Sequence, residues 1–227
     1  MAESRGRPEN LEGAAFDALL SEHNLTLPES ALARTPAEAG EQAARIGFPV
    51  AVKIISPQAS HKTEVGGVAL GLTNAKAVRA SAAAMAARLA THDASARVEG
   101  FLVQEMVDGL EMILGAREDR QFGPFMLVGL GGVLAEVIRD VSIRLLPIDA
   151  DTAHAMIGSL RGAALLKRFR GRPARDIDAV VRAMTGLSRL FIDHRPWLSD
   201  LEVNPLIVLG AGEGARAVDI RVVRRQP

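Results

Sequence analysis

The sequence predicts an α/β chain in which strands and helices mix along the whole length, arranged as two lobes meeting near Val103–Val107. Three observations predict this. Short β-branched runs alternate with stretches of helical periodicity. The 227 residues only slightly exceed the usual ~100–200 of one domain, so one large domain or two small lobes fit and two independent enzymes do not. Hydrophobic residues at 48% and charged residues at 24% are those of a chain with a packed core, without repeats or a low-complexity linker.

Taken in order, Leu11, Ala14, Ala15, Ala18 and Leu19 recur at helical spacing and predict a first helix from about Glu9 to His23, ended near Pro28. Thr35 followed by Pro36 is a capped helix start and Gly47 a stop, which predicts a helix over Pro36–Ile46. Phe48–Ile55 reads as a buried strand broken only by Lys53, and the polar Ser56–Gly67 as a long loop. Val68–Leu72 is a strand, and Asn74 caps an Ala-rich helix to about Thr91. Gly100–Val107 and Leu110–Ala116 are two strands joined by an Asp108-Gly109 turn. Strands follow at Met126–Leu130, Val133–Ile138 and Ser142–Leu146. Asp149 or Asp151 caps a helix to Leu160, a short helix covers Ala163–Phe169, and Asp176 opens a longer one to about Asp193. Ser199–Leu209 and Ala215–Val223 are the final strands, flanking a Gly-rich turn.

Composition excludes several functions. The 27 basic and 27 acidic residues cancel, which leaves no electrostatic footprint for nucleic acid or an anionic membrane. Any anion is therefore held locally. With no cysteine there are no disulfides, thiolate nucleophiles, iron–sulfur clusters or Cys-ligated zinc. A polar N-terminus and a longest near-apolar run (Phe125–Ile138) too short to span a bilayer agree with a cytoplasmic location.

Five features can carry chemistry. Lys53 on an apolar strand either snorkels into water from an edge strand or neutralises an anion such as phosphate at the strand end. His61 sits in the loop Ser56–Gly67 among a lysine and hydroxyls, before the Gly66-Gly67 hinge. Imidazole, with an ordinary pKa of about 6.5, is largely neutral at pH 7 and can take a phosphoryl group; the alternative is a loop histidine bonded to nearby backbone. Gln104-Glu105-Met106-Val107 at a strand end can offer adenine a backbone edge and a carboxylate, with Glu111 for ribose hydroxyls, or can be a plain exposed strand end. Gly129-Leu130-Gly131-Gly132 either lets backbone approach phosphate or forms a tight turn, and Arg144 either faces a nucleotide or lies at a strand edge. Alternation places Asp200, Glu202 and Asn204 on one strand face and Leu201 and Val203 on the other, a row of hard oxygens suited to Mg²⁺ that Asp219 on the next antiparallel strand completes. The competing reading is a solvent-facing acidic strand.

In this order the motifs resemble the ATP-grasp subunit or domain of ADP-forming acyl-CoA synthetases (the ADP-forming acetate–CoA ligases), relatives of the β subunit of succinyl-CoA synthetase. The likeness runs from about Leu11 to Val223 and is strongest in Gly47-Phe48-Pro49-Val50 through Gly71, Val103-Gln104-Glu105-Met106, Gln121-Phe122-Gly123-Pro124 through Pro147, and Leu201 through Val208. The amino-terminal helix departs from the family's acidic, lysine-rich pattern. The resemblance implies an α/β ATP-grasp fold with nucleotide between two α+β lobes: residues 1–103 with a phosphohistidine loop at 56–67, and 104–227 with the nucleotide hinge and Mg²⁺ site. By position it implies that Lys53 contacts ATP phosphate, that Glu105, Met106 and Val107 form the adenine hinge with Glu111 in the nucleotide site, and that Asn204 and Asp219 hold Mg²⁺. It also implies that His61 is transiently phosphorylated and that Glu202 pairs with the phosphohistidine, so ATP and Mg²⁺ are the expected cofactors.

The reaction implied is ATP + carboxylate + CoA giving ADP + phosphate + acyl-CoA. The ATP-grasp match consumes the chain, so CoA and the carboxylic acid are expected to enter through an α-type CoA-binding partner subunit or fused domain. Two other functions fit the fold: a nucleotide-sensing regulatory module without catalysis, which the presence of both His61 and Glu202 argues against, and a self-contained carboxylate–amine ligase, which the His61 loop argues against.

Overall fold

The computed structural model describes residues 8–9, 14–57, 66–93, 95–132, 140–168, 171 and 173–225. The elements of the first half are β1 (Pro8–Glu9), α1 (Ala14–Glu22), β2 (Ser30–Ala33), α2 (Pro36–Ile46), β3 (Val50–Ile55), β4 (Val68–Leu72), α3 (Ala75–His92) and β5 (Gly100–Glu105). The second half holds β6 (Leu110–Asp119), β7 (Gly123–Leu130), β8 (Val141–Leu145), α4 (Ala150–Gly158), a 3-10 turn (Ala163–Leu166), α5 (Ile177–His194), β9 (Leu198–Val208), β10 (Ala215–Ala217) and β11 (Ile220–Arg224). They gather into two compact units, Pro28–Val107 and Met1–Leu27 with Asp108–Pro227.

The smaller unit is an antiparallel sheet in the order β2-β5-β3-β4. Alternation along β3 buries Val50, Val52 and Ile54 against Ala39 and Ala43 of α2 and Val78, Ala82, Met85 and Leu89 of α3, with Phe101 and Val103 of β5 beside them. The start of α2 is fixed as its sequence requires: Thr35 Oγ1 accepts from Glu38 N at 3.1 Å, and Glu38 in turn accepts from Arg34 N at 2.8 Å. Asn74 caps α3 in the same way, accepting from Ala77 N at 2.9 Å.

The larger sheet runs β1-β11-β9-β6-β7-β8, with β10 also paired to β9. Helices α4 and α5 cover one face, where Met112, Leu114, Ala116, Met126, Val128, Leu201 and Val203 meet Met156, Met184, Leu187 and Phe191. Asp176 joins α5 to the sheet: one carboxylate oxygen caps Ala179 N and the other accepts from Gly214 N, both at 2.9 Å. Burial opposes its charge, but these N–H donors and the nearby Arg182 hold its carboxyl below the usual carboxylate range. Glu118 near the end of β6 accepts from Arg195 Nε at 2.8 Å and lies 3.0 Å from Arg225. No helix among the described residues is long and apolar enough to cross a membrane.

Several expectations are corrected. Glu9 is not helical; it pairs with Val222 in a strand, and the first helix spans Ala14–Glu22. That helix packs its Leu20, with Leu25 after it, into the core of the larger unit, so the compact units divide at Pro28 and Val107 rather than between 103 and 104. Strand β2 was not foreseen. The strands flanking Asp108-Gly109 form no hairpin, because β5 pairs within the smaller sheet and β6 within the larger. Gly109 serves a close approach instead, since a Cβ there would sit 2.6 Å from Val208 O. The last predicted strand is two, β10 and β11. The predicted strand at Val133–Ile138 lies outside the described residues.

Candidate functional site

In the smaller unit Lys53 stands on β3, an interior strand flanked by β5 and β4, not on an edge. Its neighbours Val52 and Ile54 go into the core, so Lys53 belongs to the face opposite α2 and α3. Register places Leu32, Leu102, Lys53 and Val68 in one row across the four strands. Lys53 is half-buried there, between the aliphatic Leu102 and Val68.

The Glu105–Val107 segment is anchored on two sides by backbone. Glu105 N donates to Glu29 O at 2.8 Å and Met106 N to Pro49 O at 3.1 Å, while Met106 Sδ accepts from Gly71 N at 2.8 Å. Those two N–H groups are thereby committed within the smaller unit. The loop expected to carry His61 ends on Gly66, whose carbonyl accepts from Arg88 Nη2 at 2.6 Å, and Gly67, whose carbonyl accepts from Ile54 N at 2.8 Å. His61 itself lies outside the described residues.

In the larger unit Glu111 is exposed on β6, with Ile113 on the face away from the helices. The Gly-rich stretch reaches it directly: Gly131 N donates to Glu111 O at 2.7 Å. Gly132 has φ +71°, and a Cβ on it would sit 2.7 Å from Glu111 Oε2. The glycines thus give the backbone close access to Glu111. Arg144 shares the other face with buried Ser142, pairs with Met126 and donates to Ile143 O at 2.7 Å, so it does not belong to the face of Glu111.

On β9, Leu201 and Val203 are buried and Asp200, Glu202 and Asn204 alternate onto the opposite face, as the sequence predicts. Asp200, at 9% exposure, is held 3.1 Å from Arg117 Nη2 and 4.0 Å from Arg221 Nη2. Glu202 Oε2 lies 3.2 Å from Arg221 Nη2, and Glu202 Oε1 accepts from Asn204 Nδ2 at 3.2 Å. Asn204 N donates to the backbone carbonyl of Asp219 at 2.9 Å, so the two expected metal ligands are neighbours at exposed positions, Asn204 on β9 and Asp219 not on the next strand, as the sequence predicts, but in the link between β10 and β11. Among the described residues no three of the types His, Cys, Asp and Glu cluster as a metal cage. An amide oxygen and one carboxylate nevertheless fit Mg²⁺, which takes one or two protein oxygens and completes its octahedron with phosphate and water.

Arg117 and Arg221 are the residues sequence reading missed. Their signal was present: once β6 and β11 flank β9, Arg117 stands opposite Asp200 and Arg221 opposite Glu202.

Compared with known families, residues 2–223 match the model of the ATP-grasp domain. Among curated proteins, the chain is 36% identical over 217 residues to a 4-hydroxybutyrate–CoA ligase [ADP-forming] of Nitrosopumilus maritimus, covering 95% of this chain and only 31% of that one. It is 33% identical to the acetate–CoA ligase [ADP-forming] II subunit beta of Pyrococcus furiosus, covering 97% of this chain and 93% of the subunit. Among solved structures, it superposes with TM-score 0.77 and 33% identity on acetyl-coenzyme A synthetase 1 of Candidatus Korarchaeum cryptofilum, over 91% of this chain and 88% of that one. That structure holds coenzyme A and Mg-AMPPCP, with its phosphohistidine segment pointing towards the nucleotide binding site.

Proposed function

Since the chain belongs to the ATP-grasp domain family and is homologous to the beta subunit of ADP-forming acetyl-CoA synthetases, we propose that it binds Mg-ATP and transfers the γ-phosphoryl group to His61 as one half of an ADP-forming acyl-CoA synthetase. The observation that carries this reading is the side-chain hydrogen bond from Asn204 to Glu202 on the open face of β9, with Asp219 beside Asn204 through a backbone hydrogen bond.

In this reading Lys53 neutralises phosphate charge, and the 105–107 segment takes adenine through Val107 N–H and its carbonyls, with Glu111 as a further nucleotide contact. Asn204 and Asp219 hold Mg²⁺, which when bound offsets charge on the phosphate oxygens. One nitrogen of neutral His61 attacks the γ-phosphorus; the P–N bond forms as the bond to the bridging oxygen breaks, and ADP carries that electron pair away. The ring, left with a proton on its second nitrogen, bears positive charge, and the Glu202 carboxylate accepts that N–H and stabilises it. The acyl group and CoA then belong to an α-type partner subunit or fused domain, and the work proceeds in the cytoplasm, where ATP and CoA are supplied.

Incubating the chain with γ-labelled ATP and Mg²⁺ tests this. Acid-labile, base-stable label is expected on the wild type and absent from His61→Ala. Absence of label on His61 even with a CoA-binding partner present overturns it.

A further inference from the structure

We infer that Arg221 is a positioning residue that fixes Glu202 and, through Glu202, the direction of the Asn204 amide oxygen; the inference rests on the proposed roles of Glu202 and Asn204. Strand β9 lies between β6 and β11, and each neighbour sends one guanidinium to its carboxylates. Arg117 takes Asp200 at 3.1 Å, and Arg221 lies 4.0 Å from Asp200 and 3.2 Å from Glu202. The Glu202 carboxylate is thereby tied at both oxygens, Oε2 to Arg221 and Oε1 to Asn204 Nδ2 at 3.2 Å.

Two consequences follow from the donor inventory. An amide has one NH₂ and one carbonyl, so committing Asn204 Nδ2 to Glu202 turns its oxygen away from Glu202 and leaves it available to a ligand. A carboxylate offers two acceptor positions on each oxygen, so Glu202 can still accept an imidazole N–H without releasing Arg221 or Asn204. Glu202 is 33% exposed and Arg221 53%, so Arg221 matters little to stability by itself. Its effect is orientational. Groups that orient metal ligands from behind typically cost 10–100-fold in metal affinity or activity when lost.

The test uses Mn²⁺ as a paramagnetic probe, titrated by EPR into the full chain with ADP, for wild type, Arg221→Gln, Arg221→Lys, Glu202→Gln, the double Glu202→Gln/Arg221→Gln and Asn204→Ala. Arg221→Gln and Glu202→Gln are expected each to weaken Mn²⁺ by about 10-fold or more, with the double variant no worse than either. Arg221→Lys is expected to keep part of the affinity, because an ammonium reaches one oxygen where the guanidinium forks. Urea midpoints of the single variants are expected to match the wild type, which separates orientation from folding. Wild-type Mn²⁺ affinity in Arg221→Gln overturns the inference. Wild-type affinity in Asn204→Ala overturns the metal assignment and the inference with it. The Mn²⁺ pattern in a wild type that takes no label from γ-labelled ATP removes the phosphohistidine reading and leaves the role of Arg221 standing.

Discussion

The two compact units are built alike, each an antiparallel sheet with helices on one face, yet their other faces differ. Across the smaller sheet one row is aliphatic apart from Lys53, and Leu32 and Leu70 are 64% and 66% exposed. Across β6, β9 and β11 the corresponding face holds Arg117, Asp200, Arg221, Glu202 and Asn204 joined in a chain. The difference teaches two ways of presenting charge on the open face of a sheet. The smaller face sets one lysine in a row of aliphatic side chains, whereas the chained groups of the larger face fix each other's direction.

If each unit stands on its own core, the largest effect comes from the smaller one. Phe101 is its largest fully buried described side chain, packed among Val50, Val52, Val78 and Val103. Phe101→Ala is expected to destabilise by about 3–5 kcal/mol, read from urea unfolding. A loss below about 1 kcal/mol would show that this core does not hold its sheet to α2 and α3, and the likeness between the units would fail.

Legibility followed the range of the interactions. The bounds of α2 came straight from Thr35-Pro36 and Gly47, and the caps at Asn74, Asp149 and Asp176 were readable because a cap is decided within four residues. Strand β2, Ser-Ala-Leu-Ala, is too short for its alternation to stand out. Asp108-Gly109 looked like a hairpin turn because turn chemistry is local, while membership of two different sheets is not. The site divides in the same way. Alternation on β9 and its pairing with the next strand made the Asn204–Asp219 neighbourhood readable. The ion pairs of Asp200 with Arg117 and Arg221 were not readable, because those partners arrive from other strands and sequence order does not display register.

A middle-sized effect separates the helix caps. Asn74 in the smaller unit is exposed and caps one N–H, whereas Asp176 is buried and satisfies both Ala179 N and Gly214 N. Asp176→Ala is expected to cost about 2 kcal/mol, because removing the carboxylate leaves two donors without it in a buried place. Thermal melts of Asp176→Ala and Asn74→Ala side by side check this, and equal shifts would erase the distinction.

The smallest effect is also the one with a pH signature. Glu118 of the larger unit is held below the ordinary carboxylate value of 4.5, first by the hydrogen bond from Arg195 and then by the charges of Arg195 and Arg225, against the opposing pull of burial. A carboxyl depressed in the folded state binds its proton more weakly there than in the unfolded chain, so its contribution is complete above the unfolded value and is lost as pH falls through the folded one. Glu118→Gln is therefore expected to lower stability by about 1 kcal/mol at pH 7, the arginines being partly exposed and screened. As pH falls below the unfolded value and on through the lower folded one, the gap to the wild type should close, since the wild-type carboxyl then becomes protonated too. High salt should narrow it at neutral pH by the same screening. A gap that stays constant from pH 7 down through 3 would mean that Glu118 acts there through packing rather than charge, and that the larger unit differs from the smaller in composition but not in what holds it together.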